Sequence, residues 1–242
     1  MKLLTPAHAN AKTAKNLQHS AYQTYILHLA PAKLSGYNTC PAASAGCAAA
    51  CLNSAGRGAF SSVQQARIRK TKLFFEQREE FFAQLIHDLH AVQRKATKAK
   101  KQAVVRLNGT SDIAWEAINV PGTGKNTFDL FPAIQFYDYT KILRRVKRQL
   151  ATPIANYHLT FSRSESNEVE VLQAIEAGAS VAIVFGSEVP TMLHGRPVVD
   201  GDAHDLRFLD GNGVIVALKA KGKAKRDESG FVFQTCSNKK TA

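Results

Sequence analysis

An α/β fold with a mostly parallel sheet is what this sequence predicts, and three observations carry that expectation. Short apolar runs alternate with longer amphipathic ones through most of the 242 residues. The short runs, among them TYILHL, AVVRL, IQFY, VAIVF and VIVAL, are rich in β-branched and aromatic side chains, as strands are. Polar stretches follow them, where right-handed βαβ units gather the loops that build sites.

In chain order, residues 1–22 are polar and expected to be irregular, and the first strand is expected at 24–29, stopped by Pro31. Ser62 and Gln65 have capping-box spacing. Beyond them Phe74, Phe75, Phe81, Phe82, Leu85, Ile86, Leu89 and Val92 recur at helical spacing, which predicts one long amphipathic helix or two in series. A strand at 103–107 leads into the polar stretch 108–112. The excursion NVPGTGKN at 119–126 lacks a Walker loop, because the glycine needed five residues before Gly124 is Asn119. A strand at 134–137 precedes the basic helix TKILRRVKRQL, with Ile142, Leu143, Val146 and Leu150 on one face. Strand 154–161, a helix from about Glu168 closed by Gly178, strands at 181–185 and 214–218, and a basic segment at 219–242 complete a single expected domain over 1–242.

The net charge is +13, from 32 Lys and Arg against 19 Asp and Glu, and it favours polyanions such as nucleic acid. Three basic runs, 94–101, 141–148 and 219–226, concentrate it. Aromatics are not interleaved with them, so they suit phosphate contact rather than base stacking, and the plain alternative is a set of solvated helix ends. No apolar run approaches the ~20 residues that span a bilayer, and the N-terminus has no long apolar core for secretion. The expectation is a protein of the host cytoplasm without membrane partners.

Cys40, Cys47 and Cys51 are three of the four cysteines, in a loop of otherwise small residues. The spacing is C-x6-C-x3-C, and a helical turn over 48–50 would put Cys47 and Cys51 on one face. In a reducing compartment clustered thiols are more often metal ligands than disulfides. Zinc usually takes four ligands and tighter C-x2-C knuckles, so the wide first gap predicts a 4Fe–4S cluster on Cys40, Cys47 and Cys51, with a zinc ion and a loop of merely structural cysteines as the alternatives. The fourth ligand is open among Cys236, His158, His194, His204, solvent and substrate. The neighbouring loops are expected to bring Asn108, Asp112, Asp138, Ser162, Arg163, Glu165, Ser187 and Glu188. Asp200, Asp202 and His204 allow metal-dependent hydrolysis, although an Asp-Gly-Asp turn explains them as well.

The stretches NTCPAASAGCAAACLNSAGRG, LNGTSDIAWE, FYDYTK, HLTFSRSESN, VVDGDAHDLRFLD and VIVALKAKGKAKRDESGF together resemble the phage-encoded gene product eighty-eight domain family over nearly the whole chain. That resemblance implies a phage or prophage origin and brings no activity with it. A looser similarity is to radical-SAM enzymes, in which a three-cysteine loop follows the first strand. It implies a partial (β/α)6 TIM-like barrel with mostly parallel strands. It also implies S-adenosylmethionine (SAM) as a cofactor, with Asn108 near its amino group and Ser162 and Arg163 near its ribose and carboxylate. The spacing departs from the C-x3-C-x2-C of those enzymes, so barrel and cluster can carry over without SAM chemistry. The expected function is an iron–sulfur protein with redox or radical chemistry at an open iron, where Asp112 and Arg163 would contact substrate or cofactor. The alternative is a nucleic-acid or host-protein binding module whose cluster is structural or redox-sensing.

Overall fold

The computed structural model describes residues 1–9, 11–186 and 188–235. The apolar runs become strands of one sheet: β1 (Leu4–Pro6), β2 (Tyr22–Leu27), β3 (Gln102–Arg106), β4 (Gln135–Thr140), β5 (Tyr157–Ser162), β6 (Val181–Phe185), β7 (Met192–Leu193), β8 (Arg196–Asp200) and β9 (Ile215–Lys219). Their order is β1-β2-β3-β4-β5-β6-β9-β8-β7. Every pairing between β2 and β8 is parallel, and the outermost strands β1 and β7 are antiparallel to their neighbours. The helices are α1 (Ala11–Ala14), α2 (Ala45–Ala49), α3 (Ser61–Glu76), α4 (Arg78–Lys98), α5 (Thr127–Leu130), α6 (Leu143–Ala151) and α7 (Glu168–Glu176).

Strands that follow one another in both sequence and space, joined by right-handed crossovers, place successive helices on the same face. Phe81, Leu85 and Leu89 of α4, Val146 of α6 and Val171 and Ala174 of α7 accordingly share one core with Val105, Phe136, Phe161, Ile183 and Ile215 of the sheet. Side chains alternate along a strand, so Val104 and Tyr137 point the other way. There they meet Leu206 and Phe208, from the loop joining β8 to β9. The α/β architecture and mostly parallel sheet match the sequence expectation. By its hydrogen bonds among the described residues the sheet is open, ending at β1 and β7.

The differences have local causes. The N-terminus is not irregular over residues 4–9, because the Leu3 and Leu4 amides donate to Asp88 Oδ2 at 2.6 and 3.1 Å and Lys70 Nζ donates to the Leu3 carbonyl at 2.6 Å. These partners on α3 and α4 tie down the N-terminal strand. The amphipathic stretch takes the second of its two expected forms, two helices in series broken at Gln77, but α3 starts on Phe60 without a side-chain cap, so Ser62 lies inside it. Leu150 is 45% exposed although Val146 on the same helix is buried. The 119–126 excursion ends in Asn126, whose Oδ1 accepts from Phe128 N–H and Asp129 N–H to cap α5.

Candidate functional site

The parallel strands all point one way, so the loops that follow β2, β3, β4, β5 and β9 meet along one edge of the sheet. The loop after β2 carries the three cysteines and is anchored at several points. Buried Thr39 donates from Oγ1 to the Ala30 carbonyl at 2.6 Å, and its own carbonyl accepts from Asp112 N–H at 2.8 Å. Cys40 Sγ lies 3.8 Å from the Thr110 carbonyl, and Thr110 Oγ1 donates to the Leu29 carbonyl at 2.6 Å. The loops after β2 and β3 are therefore joined directly.

The β5 loop joins them through Glu165. Its Oε2 accepts from Ser44 Oγ and its Oε1 from Gly46 N–H, both at 2.7 Å, while Ser44 Oγ caps α2 by accepting from Cys47 N–H. Burial pushes the Glu165 carboxyl up, but these donors outweigh it and hold its pKa below the ordinary value. Gly46 lies close against this clamp: a Cβ there would meet Ser229 Oγ at 2.2 Å and Glu165 Cδ at 2.8 Å and would displace both side chains.

Asn108 is buried and spends its amide on its own loop. Its Oδ1 accepts from Ser111 Oγ, Ile113 N–H and Trp115 Nε1, and its Nδ2 donates to the Ile113 carbonyl. Asp112 binds the Lys141 amide at 2.9 Å and is ion-paired with Arg145. Arg145 is buried, forks onto Glu116 at 2.6 and 2.9 Å, and also donates to Tyr157 Oη. Burial opposes its charge, but Tyr157, Glu116 and Asp112 raise its pKa further, so the cation is permanent. Ser162 Oγ receives Lys141 Nζ at 2.8 Å. Arg163 pairs with Glu168 at 3.0 Å and holds the C-terminal segment by donating to the Gly230 and Phe231 carbonyls. The expected site residues thus gather on one edge, and Asn108, Asp112 and Arg163 serve there as loop and segment anchors.

Sequence reasoning did not reach the role of Asp138. It is fully buried on β4, its Oδ1 accepts from Asn108 N–H at 2.6 Å, and its Oδ2 has no partner. Burial pushes its pKa up to about 7 against the pull of Asn108, Arg106 and Arg145. The interruption of an apolar strand by Asp in QFYDYT was the available signal.

The iron–sulfur expectation is overturned. Among the described residues no group of three or more His, Cys, Asp or Glu side chains is placed to hold a metal ion. Two of the sulfurs have backbone partners instead: Cys40 Sγ the Thr110 carbonyl at 3.8 Å and Cys51 Sγ the Asn53 N–H at 3.5 Å at the start of a 3-10 turn, while Cys47 lies on α2. Burial pushes the Cys40 and Cys51 thiols up. Cys spacing fixes which residues share a loop but not where their sulfurs point. The redox and radical chemistry expected at an open iron falls with the cluster.

The histidines offered as further ligands lie apart. His158 is pushed down to about 4 by burial and the Arg207 charge, His194 sits 3.5 Å from Glu168, and His204 packs edge-on against His19. Asp202 Oδ2 accepts from Lys219 N–H and the carboxylate pairs with Lys221, which is tether chemistry rather than a hydrolytic centre. Cys236 and Ser187 lie outside the described residues. Among those residues no helix is long and apolar enough to cross a membrane. A family model described as Gene product 88 matches residues 2–235. No curated protein and no solved structure matches the chain.

Proposed function

This chain belongs to the Gene product 88 family, and we propose that it binds nucleic acid through the strand C-terminal edge of its sheet. The observation that carries the reading is where the third basic run goes. Lys219, Lys221, Lys223, Lys225 and Arg226 are all exposed, while Ala224 between them is buried against Ala50, at the end of α2, and Val232. One small residue docks the segment on the cysteine loop and turns its cations outward. The other runs serve this edge less well. Residues 94–101 end α4 and precede β3, so they lie at the opposite edge, and the run 141–148 has Arg145 committed to Asp112 and Glu116. The consecutive strand order with helices on one face supports a finer architecture, the wall of a partial (β/α)6 barrel whose mouth is this edge.

Neutralising phosphates releases counterions, so affinity falls with salt and depends little on sequence. Changing Lys219, Lys221, Lys223, Lys225 and Arg226 to Gln should weaken binding to any labelled duplex or single strand. The slope of log affinity against log salt should fall by roughly 0.7 to 0.9 for each phosphate no longer neutralised. Changing Arg94, Lys95, Lys98, Lys100 and Lys101 to Gln should leave most of the affinity. Absence of binding by the unaltered protein at low salt would sink the reading, and equal losses from both runs would move the surface off this edge.

A further inference from the structure

Beside the docked segment lies a groove of about 360 Å³, between the C-terminal end of α2 and the turn that follows the basic run. That volume falls in the range of small-molecule sites. Its walls combine three chemistries. Ala49 and Ala50 give an apolar floor, Lys223 and Arg226 give cations, and Glu228 gives a carboxylate. Among the described residues, Lys223, Arg226 and Glu228 have no hydrogen-bond or ion-pair partner, whereas Lys221 is spent on Asp202. The other acid of the groove, Asp227, is committed: its Oδ1 accepts from Ser229 Oγ at 2.6 Å and its Oδ2 from Val232 N–H at 2.9 Å. Burial acts to raise the Asp227 pKa, but these donors hold it below the ordinary value, so it shapes the turn as a fixed anion.

A ligand matched to this groove carries a flat apolar body, N–H donors for a carboxylate and a negative group for two free cations. We infer that the groove seats one nucleotide unit of a nucleic-acid strand, with its base over Ala49 and Ala50 and its phosphate served by Lys223 and Arg226. The inference rests on the nucleic-acid reading above and adds a seat that charge alone does not require. Inorganic polyphosphate, which has no base, would meet the same cations but leave the floor and Glu228 unused.

The test uses the full chain, a labelled twelve-residue thymidine oligonucleotide and its cytidine counterpart, and inorganic polyphosphate as competitor. Ala49→Leu fills the floor from an exposed helix position without adding charge or an aromatic ring. It should weaken oligonucleotide binding about tenfold, about 1.4 kcal/mol, while polyphosphate binding stays within twofold, since the base loses its apolar burial on the two alanines. Ala45→Leu, elsewhere on α2, should change neither. Cytidine, with its exocyclic amine, should bind more tightly than thymidine, and Glu228→Gln should narrow that gap. Unchanged oligonucleotide affinity in Ala49→Leu would overturn the seat and leave the basic surface standing. Failure of the unaltered protein to bind any oligonucleotide at low salt would overturn both.

Discussion

Two buried carboxyls, one on each face of the same sheet, are treated in opposite ways. Asp205, in the loop that covers the face away from the helices, is fully buried and fully served. Arg106 Nη1 and Tyr137 Oη both donate to its Oδ2 at 2.9 Å, and Tyr139 Oη donates to its Oδ1 at 3.2 Å. Its amide is taken by Asn16 Oδ1 at 2.7 Å. Asp138, on the helix-facing side of β4, has one hydrogen bond and an orphaned oxygen, and is pushed up to about 7. A buried carboxylate with a cation and donors is a structural rivet, and one without them is a charge the fold holds at a cost. The difference separates the plug that closes one face from the loop edge where the candidate site sits.

The largest effect should come from breaking the rivet. Asp205→Ala leaves Arg106 buried without its counter-ion and removes the acceptor of the Tyr137 hydroxyl, which should cost about 3–5 kcal/mol in urea unfolding. Asp205→Asn keeps an acceptor and should cost less. A loss under about 1 kcal/mol in Asp205→Ala would show the network to be replaceable by water.

The second carboxyl should behave in reverse. The folded pKa of Asp138 lies above the ordinary value of 3.8. Its contribution is therefore fully present below about pH 4, lost as pH rises toward about 7, and flat beyond. Asp138→Asn mimics the protonated form and keeps the acceptor for Asn108 N–H. At pH 8 it should be more stable than the parent by on the order of 4 kcal/mol, and at pH 4 nearly equal. If the two proteins keep a constant difference from pH 4 to pH 8, Asp138 is not held protonated by the fold.

The same contrast explains what was legible in the sequence. Strands such as VAIVF could be read because their apolar content is local, and Val181–Phe185 is where the run itself lies. Strand β1 could not, since its three residues gain their place only when Asp88, far along the chain, takes the Leu3 and Leu4 amides. The β7–β8 hairpin had a local signal that went unused. His194 and Gly195 have φ of 50° and 70°, the paired positive values of a two-residue primed turn, and His-Gly is a permissive dipeptide for it. At the site, the gathering of loops on one edge follows from strand alternation, so the loops that carry Asn108, Asp112, Ser162, Arg163 and the cysteines share that edge. Side-chain direction does not follow from spacing, and that is where the metal expectation failed.

The smallest expected effect tests the remaining carboxyl of the edge. Glu165 is only partly covered, so its pairings with Ser44 and Gly46 compete with water and should be worth under about 1 kcal/mol in global stability. Its folded pKa is depressed, so the clamp should be intact above the ordinary carboxylate range and lost as pH falls through the folded value. The local consequence should exceed the global one, because Glu165 links the β5 loop to the N-terminal turn of α2 while Ser229 of the C-terminal segment packs beside Gly46. In Glu165→Gln, one acceptor remains but the charge that holds both donors is gone. Amide exchange at Gly46 and Cys47 should then quicken at pH 7, with the unfolding midpoint nearly unchanged, and acidifying the parent protein should reproduce the same local opening. A global loss as large as that of Asp205→Ala would instead make Glu165 a second rivet, and the division between a riveted plug and a lightly clamped edge would be wrong.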